Sequence, residues 1–364
     1  MKAYINNYEL LCDAGDTKNL MNAIYAKESA LVVDETYLPH ATAGLGKMEY
    51  TTIFDVLEDI ATKVLKESNL ENFHDTLLIL GSSVGGMQEC ENIFYKEKNY
   101  KNIDASRYSI NVLTDHLVQK FGFYDARALS TACTSSANAL LLAKRLIDVE
   151  AYENILVVGA DGICYSTVLG FNALGVLSDK KCTPFDKDRN GMNVAEAVAA
   201  LLVQNIKTEN SVELKGVGAG SDAYHITNPD PEATGAMSSM LAAIKDAGLE
   251  LNDIDYINAH GTATLANDKV EALAVEKLFN HSVYISSTKA ITGHTLGAAG
   301  AVEAIVSCEV IKRSLIPSQT GLENQENENI NIPRENIAMD VKNIISNSFA
   351  FGGNNASIVF GACS

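Results

Sequence analysis

A cysteine stands among small polar residues where the chain turns into an apolar helical run. The stretch Ser130–Leu140 contains Cys133 near its start, and helical spacing continues to Ile147. A cap at Ser130 or Thr131 would place Cys133 in the first helical turn. Unpaired backbone N–H groups and the helix dipole stabilise a thiolate there. Cys133 is therefore a candidate nucleophile, although a small buried thiol in a tight turn is the commoner role of a cysteine.

Two histidines in the second half of the chain could assist such a thiol. His260 ends a predicted strand and precedes Gly261, which lets a ligand approach the backbone. His294 lies before a small-residue helix, in a stretch that also contains Lys289. Each histidine alone is more often a structural hydrogen-bonding residue. Together with Cys133 they predict a Cys-His-His site in a cleft between two halves of the chain.

The elements that must position these residues alternate between strands and helices. This alternation predicts an α/β fold with mostly parallel sheets covered by helices. The small-residue helices after Cys133 and after Gly297 resemble each other, and so do the segments that close each half. We therefore predict an internal duplication, with halves at 1–205 and 206–364. The predicted strands include 3–11, 76–81, 154–162 and 255–261, and the predicted helices include 17–26, 51–67, 237–247, 269–279 and 297–312.

Composition narrows the possible functions. The chain has 364 residues with 47% hydrophobic and 20% charged content, which is typical of a globular protein with a large core. A net charge of −18 argues against nucleic acid as a partner. The seven cysteines are scattered without a CxxC pair, so no zinc site or disulfide framework is predicted. Neither a secretory signal nor a membrane span is predicted, and the expected location is the cytoplasm.

A glycine-rich turn after the strand at 76–81 invites a second interpretation, a dinucleotide site. The segment Gly81–Gly86 lacks the G-x-G-x-x-G spacing, and no acidic residue ends a following strand in the expected place. A nicotinamide cofactor is therefore not predicted.

Motifs along nearly the whole chain, from about Leu78 to Phe360, resemble a known family. It is the β-ketoacyl-acyl-carrier-protein synthases, the elongating condensing enzymes of thiolase-like fold. The resemblance implies a duplicated, five-layered α-β-α-β-α architecture with mixed, mostly parallel sheets. The motifs are Thr131–Ser135, Gly170–Ser178, Pro184–Gly191, Asp222–His225, His260–Thr262, Lys289, Gly293–His294 with Gly297–Gly300, and Asn347–Phe349.

The resemblance implies a role for each matching residue. Cys133 would take the acyl chain from a carrier protein as a thioester. His260 and His294 would promote decarboxylation of the malonyl-carrier protein and stabilise the enolate by N–H donation. Lys289 would tune this pair, and Glu303 would organise the site from behind it. The backbone N–H groups of Cys133 and Phe351 would form the oxyanion hole, and Phe351 would gate acyl entry.

The same resemblance sets the expected partners. They are an acyl carrier protein in its acyl and malonyl forms and a second subunit, either an identical copy or a related synthase. Decarboxylation needs hydrogen-bond donors where charge develops, so neither a metal nor a cofactor is expected. Because carrier proteins are acidic, a local basic patch is predicted for docking. Its candidates are Lys47, Lys101, Lys180 and Lys181. The alternative is that these are ordinary solvated lysines.

Several positions depart from the family pattern. Ala350 replaces a usual glycine between two aromatics, which predicts a stiffer gate because alanine restricts access to positive φ. Asn354 stands for a usual threonine, and Leu265 for a frequent proline. These departures leave acyl chain length and pathway, fatty-acid or polyketide, open. Alanines also replace glycines at Ala195, Ala197 and Ala199.

Two other functions share this fold. A non-catalytic chain-length-determining partner of a ketosynthase generally lacks the nucleophile, whereas Cys133 is present here. A thiolase acting on coenzyme A esters uses a second cysteine near the C-terminal glycine turn, and Phe349–Asn355 contains none. The carrier-protein synthase is therefore the favoured interpretation.

Overall fold

The computed structural model describes residues 1–38, 41–68, 70–279 and 283–363. The predicted strands and helices are all present in it, with ends shifted by a few residues. Its helices are α1 Thr17–Ala26, α2 Ile53–Lys66, α3 Met87–Glu97, α4 Asn111–Phe121, α5 Ser135–Asp148, α6 Tyr165–Ala173, α7 Thr234–Asp246, α8 Leu265–Phe279, α9 Lys289–Thr292 and α10 Ala299–Arg313. Its strands are β1 Ala3–Cys12, β2 Gly15–Asp16, β3 Val32–Asp34, β4 Ala43–Gly46, β5 Leu77–Gly81, β6 Ala126–Leu129, β7 Asn154–Asp161, β8 Val194–Ala195, β9 Ala197–Gln204, β10 Val212–Ser221, β11 Tyr256–Asn258, β12 Tyr284–Ser286, β13 Leu315–Ile316, β14 Ile337–Ala338, β15 Asn343–Ala350 and β16 Asn354–Ala362.

The large sheet consists of two sets of five strands with the same pairing pattern. The first set runs β6-β5-β7-β9-β1 and the second runs β12-β11-β15-β16-β10. In each set the first three strands are parallel, and the fourth is antiparallel to both neighbours. Four of the five strands therefore run in one direction. The sets join where residues 3–5 of β1 pair antiparallel with residues 212–214 of β10. The domain boundary near residue 205 stays a prediction.

Two buried helices, α5 and α10, pack against each other and against strands of both sets. The side chains of α10 are buried from Ala299 to Ile311 except for half-buried Glu309, and its exposed residues are Lys312 and Arg313 at the C-terminal end. The close approach depends on Gly300, because a Cβ there would lie 2.5 Å from the backbone nitrogen of Ala137. The small residues seen in the sequence at both helix starts thus allow the two helices to touch.

The chemistry-bearing residues follow the carboxyl ends of strands that belong to different sets. β6 leads through a turn to Cys133 and α5, and β11 leads to His260. These two strands occupy different positions in their sets, and the packing of α5 on α10 brings the two sets together. The carboxyl ends of parallel strands are the usual location of sites in α/β folds.

Candidate active site

Cys133 lies in a strained turn between β6 and α5. The preceding residue, Ala132, has φ +53, the left-handed conformation that a non-glycine residue adopts only when its surroundings enforce it. Its carbonyl accepts hydrogen bonds from the hydroxyls of Ser83 at 3.0 Å and Ser135 at 2.6 Å. The helix starts later than predicted: the residue at its N-cap is Thr134, without a side-chain cap bond. Cys133 therefore precedes the helix rather than lying in its first turn.

The Cys133 thiol faces the imidazole of His294. The distance from Sγ to Nε2 is 3.1 Å. The His294 backbone is held on both sides, because its N–H donates to the carbonyl of Asn193 at 2.7 Å and its own carbonyl accepts from the N–H of Ala195 at 3.0 Å. Burial, and after it the charge of Lys289, holds the pKa of His294 well below its usual range. His294 is therefore a neutral imidazole beside the thiol.

His260 lies edge-to-face with His294, with ring centroids 5.2 Å apart. Its Nδ1 is 3.4 Å from the Nζ of Lys289, which in turn forms a buried ion pair with Glu303. An ammonium group can only donate, so Nδ1 of His260 must accept and Nε2 must carry the proton. Burial, then Lys289 and His294, lower the pKa of His260 well below its usual range. His260 is thus a neutral N–H donor.

A buried carboxylate that the sequence interpretation missed holds the His260 backbone. Glu271 of α8 is fully buried, and its two oxygens accept from the N–H groups of His260 at 2.9 Å and Gly261 at 2.8 Å. The side-chain amide of Asn347 donates to the same group at 3.2 Å. Burial raises the pKa of Glu271 to about 7, against the opposing effect of these hydrogen bonds. Glu271 therefore positions His260 through the backbone.

A second missed carboxylate, Asp161 at the end of β7, connects the two halves near Cys133. It accepts from the backbone N–H of Ser83 at 2.9 Å and of Gly297 at 2.6 Å. Ser83 is the residue that also holds the strained turn at Ala132. Asp161 therefore ties the turn of the nucleophile to the segment that leads into α10.

The electrostatics of the thiol favour its protonated form at rest. Burial raises the pKa of Cys133 to about 12, although the nearby Lys289 lowers it. If this sulfur is to act as a nucleophile, the thiol proton has to leave. The Nε2 atom of His294 contacts that sulfur at 3.1 Å.

Two cavities meet at the thiol. Cavity A, of about 250 Å³, is lined by His260, His294 and Phe349. Cavity B, of about 380 Å³, is mostly apolar. Their common wall consists of Cys133, Phe171 and Phe351. The two phenyl rings lie edge-to-face with centroids 6.0 Å apart, and the sequence interpretation gave Phe171 no role of its own. The other lining residues of cavity B include Val84, Met87, Leu174 and Leu296.

The glycine-rich turn that carries Phe351 is tied to its surroundings on both sides. Gly352 donates its N–H to the carbonyl of Ile226 at 2.7 Å. Behind the turn, the side-chain oxygen of Asn354 accepts from the Asn138 amide at 3.1 Å and from the Thr134 hydroxyl at 2.9 Å. The departure at Asn354 thus makes direct contacts with the start of α5.

Of the four predicted docking lysines, three have exposed side chains and one is paired. The Lys47 Nζ is 2.7 Å from Asp34 Oδ2 and lies 5.0 Å from the centre of the Tyr37 ring. The exposed three are Lys101, Lys180 and Lys181. Within the described ranges, no cluster of three or more histidine, cysteine, aspartate or glutamate residues is arranged to hold a metal ion. No described helix is both long and apolar enough to cross a membrane.

The chain belongs to the β-ketoacyl synthase family. The family's "Beta-ketoacyl synthase, N-terminal domain" matches residues 18–209, and its "C-terminal domain" matches residues 211–323. The chain is 34% identical over 325 residues to 3-oxoacyl-[acyl-carrier-protein] synthase 2 of Coxiella burnetii, covering 80% of this chain and 77% of that protein. It is 32% identical over 328 residues to the Staphylococcus aureus protein of the same name, covering 82% and 81%. These relatives are acyl-transferring condensing enzymes, so the predicted enzyme class is confirmed.

Solved structures agree on the fold. A chain in the structure of the ketosynthase ApeO in complex with its chain length factor ApeC, from Xenorhabdus doucetiae, superposes with a TM-score of 0.90 at 28% identity. The match covers 100% of this chain and 98% of that one. A β-ketoacyl synthase from Burkholderia phymatum STM815 also gives 0.90, at 24% identity over 100% of both chains, and shows the fold alone. The predicted thiolase-like α/β fold is confirmed.

Proposed function

We propose that this chain is a β-ketoacyl-acyl-carrier-protein synthase that forms a carbon–carbon bond by decarboxylative Claisen condensation. One observation carries the proposal: the Cys133 thiol is 3.1 Å from Nε2 of His294, with a second neutral histidine, His260, beside it. One group can act as nucleophile, and two can donate N–H where negative charge develops. Family membership supports the same reaction class.

In the first half-reaction, the Cys133 sulfur attacks the carbonyl carbon of an acyl-carrier thioester. The new C–S bond forms on Cys133, the bond to the carrier's pantetheine sulfur breaks, and the thiol proton ends on that departing sulfur. We assign the oxyanion hole to the backbone N–H groups of Cys133 and Phe351. One such donor is worth about 2.7–4 kcal/mol in acyl-transfer enzymes.

In the second half-reaction, the malonyl thioester loses its carboxylate as CO2. The electron pair left behind forms an enolate, whose oxygen would accept from Nε2–H of His260 and of His294. The enolate carbon then attacks the acyl carbonyl on Cys133, and the C–S bond to Cys133 breaks. One proton is taken up as the thiol is restored. Both imidazoles are neutral because burial lowers their pKa, which suits them to donate rather than to carry charge.

Three further residues have supporting roles in this proposal. Lys289 fixes the tautomer of His260, and Glu303 holds Lys289 through their buried ion pair. Phe351 gates passage between the two cavities. The position of Phe351 in the wall shared by cavity A and cavity B supports this role.

The proposal also covers partners and location. The partner that supplies both substrates is an acyl carrier protein in its acyl and malonyl forms, docking near Lys101, Lys180 and Lys181. The chain would pair with an identical copy or with a related synthase. The cytoplasm is the proposed location, supported by seven cysteines that are all free thiols.

The test is acyl transfer to Cys133. Incubating the protein with acyl-carrier protein should add the mass of the acyl group to the peptide that contains Cys133. Cys133→Ala should abolish this labelling and condensation, whereas Cys308→Ala, at another buried cysteine, should retain both. Condensation that persists in Cys133→Ala would contradict the assignment. A wild-type chain that is never labelled would instead favour the alternative function, a non-catalytic chain-length-determining partner.

A further inference from the structure

The mouth of cavity A carries two exposed apolar side chains. Ile226, in the loop between β10 and α7, is 78% exposed, and Leu265, the first residue of α8, is 64% exposed. Both line cavity A, which leads inward to Cys133. Because they come from different segments yet border one opening, we call them the docking rim.

The described lining of cavity A offers no basic side chain to an acidic partner, and exposed Lys269, one helical turn from Leu265 on α8, lies outside this lining. Among the described residues that line cavity A, the lining contains no lysine or arginine, and its carboxylate is Asp222. The chain as a whole carries a net charge of −18, and Lys47 is already paired with Asp34. The net charge of the chain therefore does not attract an acidic protein, and attraction by single exposed lysines is screened beyond about 8 Å at physiological salt.

We propose that the docking rim is an apolar contact surface for the carrier protein. This inference rests on the proposed function, in which a thioester on a flexible arm enters cavity A while its protein stays outside. The protein that holds that arm must then cover the mouth and bury Ile226 and Leu265. The partner is a carrier protein with apolar side chains around the point where its arm is attached. The exposed lysines act at longer range, in encounter.

Two physical consequences separate this surface from an ionic one. Contact between apolar side chains depends little on ionic strength, whereas ion pairs at a surface weaken as salt rises. Loss of a central apolar contact typically weakens a protein interface by about tenfold. A substrate without the carrier protein cannot touch the rim from outside, so its use should depend far less on these residues.

The experiment compares two substrates in one assay. Condensation with malonyl-acyl carrier protein is measured with hexanoyl-acyl carrier protein and with hexanoyl-pantetheine as acyl donors. In Ile226→Ser and Leu265→Ser, the ratio of kcat/KM for the first donor to that for the second should fall about tenfold. The fall should persist in 0.5 M NaCl. Ile206→Ser and Leu241→Ser, at exposed residues outside the cavity lining, should keep the wild-type ratio.

Two outcomes would overturn the inference. One is an unchanged ratio in both rim variants. The other is a ratio that falls only in Lys180→Glu and Lys181→Glu and recovers in high salt, which would make docking ionic. A wild-type chain that condenses neither donor would instead overturn the proposed function, and this outcome is distinguishable from both.

Discussion

The side-chain oxygen of Asn354 lies 2.9 Å from the hydroxyl of Thr134, which joins the residue after the glycine-rich turn to the residue after the nucleophile. This contact links the segments that carry Phe351 and Cys133, whose N–H groups form the proposed oxyanion hole. We expect Asn354→Leu to slow acylation of Cys133 about tenfold or more, since the contacts of the Asn354 oxygen with Thr134 and Asn138 are both lost and an oxyanion donor shifts. The rate is measured by mass spectrometry of the acylated protein.

The matched control is Asn354→Thr, because a threonine hydroxyl can also accept from Thr134. This variant should acylate within about threefold of wild type. If Asn354→Leu acylates as fast as the wild type while its melting temperature is unchanged, the contact has no part in positioning the turn.

The hold of Glu271 on the backbone of His260 gives a second prediction. In Glu271→Gln one of the two accepting oxygens is replaced by an NH2 group, which cannot accept a backbone N–H, and the remaining amide oxygen is uncharged. We expect unfolding at pH 8 to require about 1.5–3 kcal/mol less free energy, as for a buried bond to a charged group. The release of CO2 from malonyl-carrier protein should fall as His260 shifts. Denaturant titration and a CO2 assay measure the two effects, and exposed Glu28→Gln is the control. A loss of stability without a loss of CO2 release would limit Glu271 to a structural role.

The ion pair between Glu303 and Lys289 predicts a pH dependence. Burial raises the pKa of Glu303 to about 7, with Lys289 opposing, so the carboxylate forms as pH rises through 7. Below that pH the ionised fraction falls about tenfold per unit. We therefore expect the wild-type condensation rate to rise between pH 6 and pH 8. Glu303→Gln should be slower and should lose this rise.

The Glu303→Gln variant also distinguishes between two titrating groups. Burial raises the pKa of Glu271 to about 7 as well, so either carboxyl could give the rise. Glu303→Gln leaves Glu271 in place. A pH profile that keeps its rise in this variant would assign the titration to Glu271 instead.

Ala350 gives a fourth prediction, about the gate. The φ angle of Ala350 is not positive, so alanine fits the observed conformation without strain. The predicted stiffening therefore concerns only the backbone movement that would open the proposed gate. We expect Ala350→Gly to increase the rate at which iodoacetamide alkylates Cys133 by about two- to fivefold, because glycine opens more backbone conformations. The free energy of unfolding should drop by about 0.5–1 kcal/mol. Ala338→Gly, at the end of another strand, should lower stability without changing the alkylation rate.

The sequence predicted the alternation of strands and helices well, because buried parallel strands read as short apolar runs. The helix α5 starts later than the sequence predicts. Ser130 and Thr131 have the side chains of a cap, yet the turn at Ala132 comes first and delays the helix to Ser135. Only tertiary contacts, such as the bond from Ser83, hold that left-handed conformation. Local capping preference cannot reveal it.

The Cys-His-His set follows from residue types and motif resemblance, and Glu303 from the resemblance, whereas the carboxylates Glu271 and Asp161 were missed. A glutamate within a helix is usually predicted to be an exposed, solvated charge. Helical spacing does contain a signal: Glu271 lies three residues after Asp268 and four before Val275, on the buried stripe of α8. An acidic residue on an apolar stripe indicates a buried acceptor. Phe171 lies in the motif Gly170–Ser178, but its place in the wall shared by the two cavities exists only after the two halves pack.

The wall between cavity A and cavity B has a consequence for small molecules. A covalent reagent can approach Cys133 from cavity A or from cavity B. The side that it prefers depends on whether it is a slender polar chain or an apolar one. A two-armed compound that fills both spaces would have to displace Phe351 and the ring of Phe171 that packs against it. Such a compound would keep the two rings apart, and its residence time would report how strongly they pack against each other.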